Sequence, residues 1–241
     1  YFRNNGNSFL YFSHYAIQSD CATFKGLLNL SWFCKHFLED MMKIKNKIPD
    51  YIVCIFLGVS LGAISKYLDT IAIVDGSWWL GVLSYFGDLF TRLGIWVLIA
   101  TFIAAYSRTF IRSAINTFLF FMGMLVSYYI YSAYLFGFFP TSYFILWGTV
   151  ALASPVLGII VWGAKNKKPL YFGLPALPMG LMLSLSLGMG LFYISLNYIE
   201  ELIMYIILCI IFYKDPKQMV ITIVLSFVIG FITEQIIPFH F

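Results

Sequence analysis

The connections between the long apolar runs of this chain alternate in charge: every second one is basic, and the ones between are acidic or neutral. A helical chain threading a bilayer keeps its Lys/Arg-bearing turns on the cytoplasmic side, so the alternation constrains topology as well as class. About 20 apolar residues are needed to cross roughly 30 Å of hydrocarbon. On that measure seven spans are predicted, at residues 51–68, 89–106, 113–136, 143–162, 170–191, 198–213 and 219–237. Lys43, Lys45, Lys47, Arg108, Arg112, Lys165, Lys167, Lys168, Lys214 and Lys217 fall on one side of this map. Asp69, Asp75, Asp88, Glu200 and Glu201 fall on the other, where Lys66 and Arg92 are the cations. The expected architecture is an all-α, polytopic transmembrane helix bundle with its N-terminus inside and its C-terminus outside. A G-protein-coupled receptor, also of seven spans, has the reverse orientation.

Composition excludes a water-solvated fold. Hydrophobic residues make up 61% of the 241 and charged residues 11%, against roughly 45–50% and about 25% in ordinary globular chains. Fifteen Lys/Arg and eleven Asp/Glu are too few to cover a core of that size. The lipid bilayer is therefore the expected partner. The net charge of +4 sits in short turns rather than in a stripe, so no nucleic-acid interface is expected. The expected location is the bacterial cytoplasmic membrane.

The first 48 residues show no sustained helical period and are read as an irregular leader, with residues 49–241 as a single transmembrane domain. Met41-Met42-Lys43-Ile44-Lys45-Asn46-Lys47 has the form of a bacterial start followed directly by a span. Translation is accordingly expected to begin at Met41 or Met42.

Helix starts and packing motifs can be placed by their chemistry. Asp215-Pro216-Lys217-Gln218 supplies an Asp cap, a Pro in the first helical position and a Gln three residues after the cap. Asn197 and Glu200 offer a similar box for the sixth span, and Asp50 and Asp88 can cap the first and second. Gly58 and Gly62, and Ser184 and Gly188, are small residues four apart that let helix backbones approach. They predict contacts within the chain, with a homodimer or another membrane protein as the alternative partner. Pro175 and Pro178 each remove an amide and predict that the fifth span is kinked or broken in its cytoplasmic half.

No catalytic group is evident. Cys21, Cys34, Cys54 and Cys209 have no Cys-x-x-Cys spacing, and His14, His36 and His240 all lie outside the spans. A His-Glu-x-x-His helix is absent, and Ser-His or Cys-His pairs cannot be assembled inside the membrane. Glu200-Glu201 invites comparison with intramembrane prenyl-protein proteases, but Tyr205 stands where their Glu-Glu-x-x-x-Arg motif has Arg. Neither a metal nor a cofactor is expected.

The polar residues near the outer ends of the spans are the candidate site. Lys66 and Asp69 are spaced i, i+3, and Asp88 and Arg92 i, i+4, so each pair can form an ion bridge on a helix. Glu200, Glu201 and Glu234 approach the same depth from the sixth and seventh spans. A charge at the bilayer centre costs about 2.5–3.5 kcal/mol on insertion scales and less near the interface. An outward-open polar pocket is predicted from Lys66, Asp69, Asp88, Arg92, Glu200 and Glu234, floored by Tyr128, Tyr129, Tyr131 and Tyr134. Interfacial anchoring and helix capping, the ordinary roles of such residues at this depth, compete with the pocket for the same charges. Asn116 is expected to make a helix-to-helix hydrogen bond. The connection carrying Trp78, Trp79, Tyr85 and Phe86 is expected to lie in the headgroup region or to cover the pocket, while Trp147 and Trp162 read as interfacial belts.

Three stretches carry a resemblance: LGVSLGAISKYLD at residues 57–69, NTFLFFMGMLVSYY at residues 116–129, and Ser154-Pro155. They resemble a family of bacterial multi-pass membrane proteins, a domain of unknown function common in Gram-positive organisms. The resemblance spans about residues 50–237 and implies location and architecture alone. By size and by its Gly/Ala-rich first span the chain is also similar, more weakly, to the substrate-binding subunits of energy-coupling-factor transporters. Those usually have six spans and share no diagnostic motif with it. Two functions are compatible with these features: binding or transport of a small polar solute, or service as a non-catalytic membrane subunit or scaffold. The sequence contains no ATP-binding loop, so pumping would require an ion gradient or a partner ATPase.

Overall fold

The computed structural model describes residues 50–70, 78–137, 141–168, 170–189 and 194–236, without the side chains of Ser142 and Tyr143. The expected start at Met41, the leader, Cys21, Cys34, the three histidines, Asp75 and the lysines at 43, 45 and 47 lie outside these residues. Eight helices are present among the described residues. They are α1 (Asp50–Asp69), α2 (Trp78–Thr91), α3 (Leu93–Ala105), α4 (Phe110–Phe136), α5 (Thr141–Asn166), α6 (Ala176–Ser186), α7 (Ile199–Phe212) and α8 (Pro216–Ile236). A short 3-10 turn, Leu170–Phe172, precedes α6, and two three-residue strands, β1 (Leu187–Met189) and β2 (Ile194–Leu196), join α6 to α7 as an antiparallel pair.

The directions of packed helices follow from which residues meet. Along α1, Gly58 faces Phe120 and Gly62 faces Met124 and Ser127 of α4, so contacts advance together and the two helices run parallel. On α5 they run in reverse: Ser113 bonds the Gly158 carbonyl and Thr117 the Ser154 carbonyl. Gln218 meets Tyr171 and Ser184 meets Glu234, so α6 and α8 are again parallel. Asn166 and Ser113 reach the carbonyls of Ala105 and Ala104 at the end of α3. The basic connections at 106–109, 166–169 and 213–215 therefore follow helices ending, and precede helices starting, at one end of the bundle. Arg108 and Arg112 stand 3.9 and 3.7 Å from the Asp50 carboxylate at the start of α1.

The helical bundle is thus as expected, but its passes are unequal. Four helices are long and apolar enough to cross a membrane: α1, α4, α8 and the Phe144–Asn166 part of α5. A fifth crossing results if α2 and α3, bent by 65°, act as one broken span. The expected span at 89–106 is therefore the second arm of a bent pair. At 170–191 the chain forms the 17-residue apolar stretch Leu170–Ser186 and then turns into strand. The sixth pass, α7, has 14 residues, about 21 Å at roughly 1.5 Å per residue against roughly 30 Å of hydrocarbon. The outer faces are apolar, with Phe56 of α1, Leu152 of α5 and Val220 of α8 all more than half exposed. Such a surface is solvated by lipid, and the protein is built to be embedded in a membrane.

Small residues set the closest approaches. A Cβ on Gly58 or Gly62 would fall onto the backbone of α4, and one on Gly123 would reach the Ile55 carbonyl at 2.9 Å. The expected contact at Gly58 and Gly62 is thus within the chain. In α6 the close approach is at Gly180, against Ile229 and Ser226 of α8, whereas Gly188 lies in β1 opposite Ser195. Ser184 and Gly188 consequently share no helix face.

The prolines realise the second of the two expected outcomes, a break. Pro175 is the N-cap of α6 and Pro178 lies in its first turn, where amides have no intrahelical acceptor to lose. They open α6 after the Leu170–Phe172 turn, which breaks the expected span rather than kinking a continuous helix. Pro155 is the proline inside a helix, in α5. Its missing amide leaves the Ala151 carbonyl without its i+4 donor, and the Ser154 hydroxyl donates to that carbonyl at 2.8 Å.

Asp215 and Pro216 begin α8 as expected, with the Met219 amide on the Asp215 carbonyl. Gln218 accepts from the Lys214 amide and donates to the Tyr171 carbonyl at 3.0 Å, tying this start to the turn before α6. At α7 the cap is Tyr198, without a side-chain cap bond. Asn197 instead accepts from Ser195, and the amides of Asn197 and Tyr198 both donate to the Ser186 carbonyl at the end of α6. Asp88 lies near the end of α2 and caps no helix start. Asn116 bonds Ser107, in the connection before α4 rather than on a neighbouring helix.

Candidate functional site

A cavity of about 990 Å³ opens among α1, α2, α3, α4, α5 and the start of α7. Lys66 and Asp69 reach it from the last turns of α1, Asp88 from α2, Arg92 from the bend, and Glu200 from the first turn of α7. Five of the six charged residues expected at a common site are therefore neighbours in space, although they come from segments up to 134 positions apart in the sequence. The sixth, Glu234, is elsewhere: its Oε2 accepts from Ser184 at 2.9 Å, where α6 packs on α8.

Lys66 and Asp69 form the predicted pair, with Nζ 2.7 Å from Oδ2. The Lys66 side chain is 9% exposed. Its ammonium lies 5.1 Å from the Tyr128 ring centre and 4.9 Å from that of Phe136, and the Tyr128 hydroxyl donates to Asp69 at 3.2 Å. Burial of this cation is thus compensated by one carboxylate and two ring faces.

The other predicted pair, Asp88 with Arg92, does not form. The helix ends at Thr91, and Arg92 is extended (φ −78°, ψ 150°) as the N-cap of α3, which destroys the one-turn spacing. Arg92 turns instead to α7, where Nη1 stands 3.1 Å from Glu201 Oε2 and 3.4 Å from Glu200 Oε2. Its guanidinium carbon lies 4.3 Å from the Tyr198 ring centre. The buried Arg92 Nε has no hydrogen-bond partner among the described residues. Tyr85 donates its hydroxyl to Glu200, joining α2 to α7. Gly94 makes room for this arrangement, since a Cβ there would come within 2.8 Å of Glu201 Cγ.

Of the expected tyrosine floor, Tyr128 and Tyr129 line the cavity and Tyr131 and Tyr134 do not. Stepping about 100° per residue along α4 puts Tyr128, Ser132 and Phe136 on one face and Tyr134 nearly opposite, where it is 82% exposed. Trp96 and Trp147 complete the apolar wall, edge to face with centres 6.4 Å apart. Trp147, expected in a belt, thus lines the cavity. Trp162 donates to the Ser107 carbonyl at 2.9 Å. Trp96 follows Arg92 by one helical turn, the spacing that could have brought it into the site from sequence. The connection expected in the headgroup region contributes α2, whose Trp78 and Trp79 are exposed while Tyr85 and Asp88 line the cavity.

Among the described residues no group of three or more His, Cys, Asp or Glu side chains is placed to hold a metal ion. No protein-family model matches the chain, and neither curated proteins nor solved structures give a significant match.

Proposed function

We propose that this chain is a multi-pass protein of the bacterial cytoplasmic membrane that binds, or carries, a small polar solute through a cavity open to the outside. The observation that carries this reading is the convergence of Lys66, Asp69, Asp88, Arg92 and Glu200 on one aromatic-walled cavity. Its volume falls in the range of small-molecule sites, about 300–1,000 Å³, and intramembrane charges held at a cavity are functional candidates by their cost alone. The outward orientation rests on the basic turns: Arg108, Arg112, Lys165, Lys167, Lys168, Lys214 and Lys217 belong to the opposite end of the helices. The resemblance to bacterial multi-pass membrane proteins supports the location. Anchoring at the interface accounts less well for Arg92 and Glu200, because Arg92 pairs across helices with Glu200 and Glu201.

The test is thermal unfolding of the full chain in detergent against a panel of amino acids, carboxylates, sugars and amines. At least one solute should raise the transition temperature in the wild type and fail to do so in Lys66→Ala/Asp69→Ala. A panel without effect, or a stabilisation that survives the double substitution, contradicts the reading.

A further inference from the structure

Resting on the solute-binding reading, we infer that the ligand is an organic monocation, an amine or quaternary ammonium whose positive centre sits beside Asp88 against aromatic faces. The cavity wall carries two cations, Lys66 and Arg92, against three carboxylates, Asp69, Asp88 and Glu200. Both cations are committed: Lys66 to Asp69 at 2.7 Å, and Arg92 to Glu200 and Glu201 at 3.4 and 3.1 Å. The Asp88 carboxylate lines the cavity, is exposed, and forms no ion pair among the described residues. Counted over the lining residues alone, with the buried Glu201 behind the wall, the formal charge left for a ligand to meet is one negative.

The walls favour the same sign. Eight of the seventeen lining residues are aromatic, and ring faces are electron-rich, so they attract cations and repel anions. The chain already uses them in this way. Lys66 sits near the Tyr128 and Phe136 rings and Arg92 over Tyr198. Tyr85, Phe90 and Trp147 line the cavity, and among the described residues no cation lies over their rings. A neutral solute would gain apolar contact from these rings but nothing from Asp88, and an anion would meet an uncompensated carboxylate. A divalent metal ion fits poorly, because no cluster of three ligating side chains exists among the described residues.

The experiment is calorimetric titration of the full chain in lipid nanodiscs with three probes: choline, its neutral isostere 3,3-dimethylbutan-1-ol, and succinate. Choline should bind about tenfold or more tightly than the isostere, and succinate should not bind. Asp88→Asn should weaken choline about tenfold or more, Asp88→Glu should retain it within a few-fold, and Glu234→Gln, outside the cavity, should leave it unchanged. Isostere or succinate binding as tight as choline overturns the cation inference while leaving the solute-binding reading intact. So does choline binding that survives Asp88→Asn. Failure of all three probes together with the wider solute panel overturns both.

Discussion

Arg92 at the break between α2 and α3 reaches Glu201 at 3.1 Å, and the Glu201 carboxylate it meets is 1% exposed. A carboxylate in that position tolerates burial because a cation stands beside it. Arg92→Met strands the charge, and loss of one partner of a buried pair costs about 3–5 kcal/mol. Glu201→Gln leaves Arg92 its Glu200 contact and should cost clearly less. Unfolding in graded denaturing detergent compares the two, and equal effects would contradict the arrangement.

Two glycines give a second prediction, Gly58 at the α1–α4 seam and Gly81 on an open face of α2. A Cβ on Gly58 falls onto the Phe120 carbonyl, which cannot move without parting the helices, whereas Gly81 in α2 has nothing within 4 Å. Gly58→Ala should lower stability by about 1–3 kcal/mol. Gly81→Ala should be neutral or raise it by about 0.4–1 kcal/mol. The same unfolding assay reads both.

Ser154 and Pro155 should be coupled. Ser154→Ala removes the hydroxyl that donates to the Ala151 carbonyl, a buried acceptor whose loss of a partner costs about 1–3 kcal/mol. Adding Pro155→Ala restores an amide donor at the i+4 position, so the double variant should recover part of the loss. Strict additivity would show that the proline does not orphan that carbonyl.

The charged site was legible in the sequence because charges are scarce in an apolar chain and each costs free energy unless partnered. Lys66 and Asp69 lie on an uninterrupted helix, so their one-turn spacing translated directly into a 2.7 Å pair. Asp88 and Arg92 have similar spacing, but the bend between them carries no proline, and nothing in Thr91-Arg92-Leu93 announces it. Glu234 matched the site in depth along its helix and not in direction around it, since depth follows from counting residues but direction depends on how α8 packs against α6. At Pro175 and Pro178 both a kink and a break stayed open for a related reason: a proline kinks a helix interior and opens a helix start, and composition alone did not locate the start at Ala176.

The central claim is a membrane-embedded bundle whose charged cavity opens on the side opposite the basic turns, and site-directed labelling tests it most directly. Single cysteines at Asp88 and at Lys167, in a background with the native cysteines replaced, are exposed to a membrane-impermeant maleimide in intact cells. The account predicts labelling of the position 88 variant without lysis and of the position 167 variant only after lysis. The reverse pattern, or labelling of both in intact cells, would contradict it.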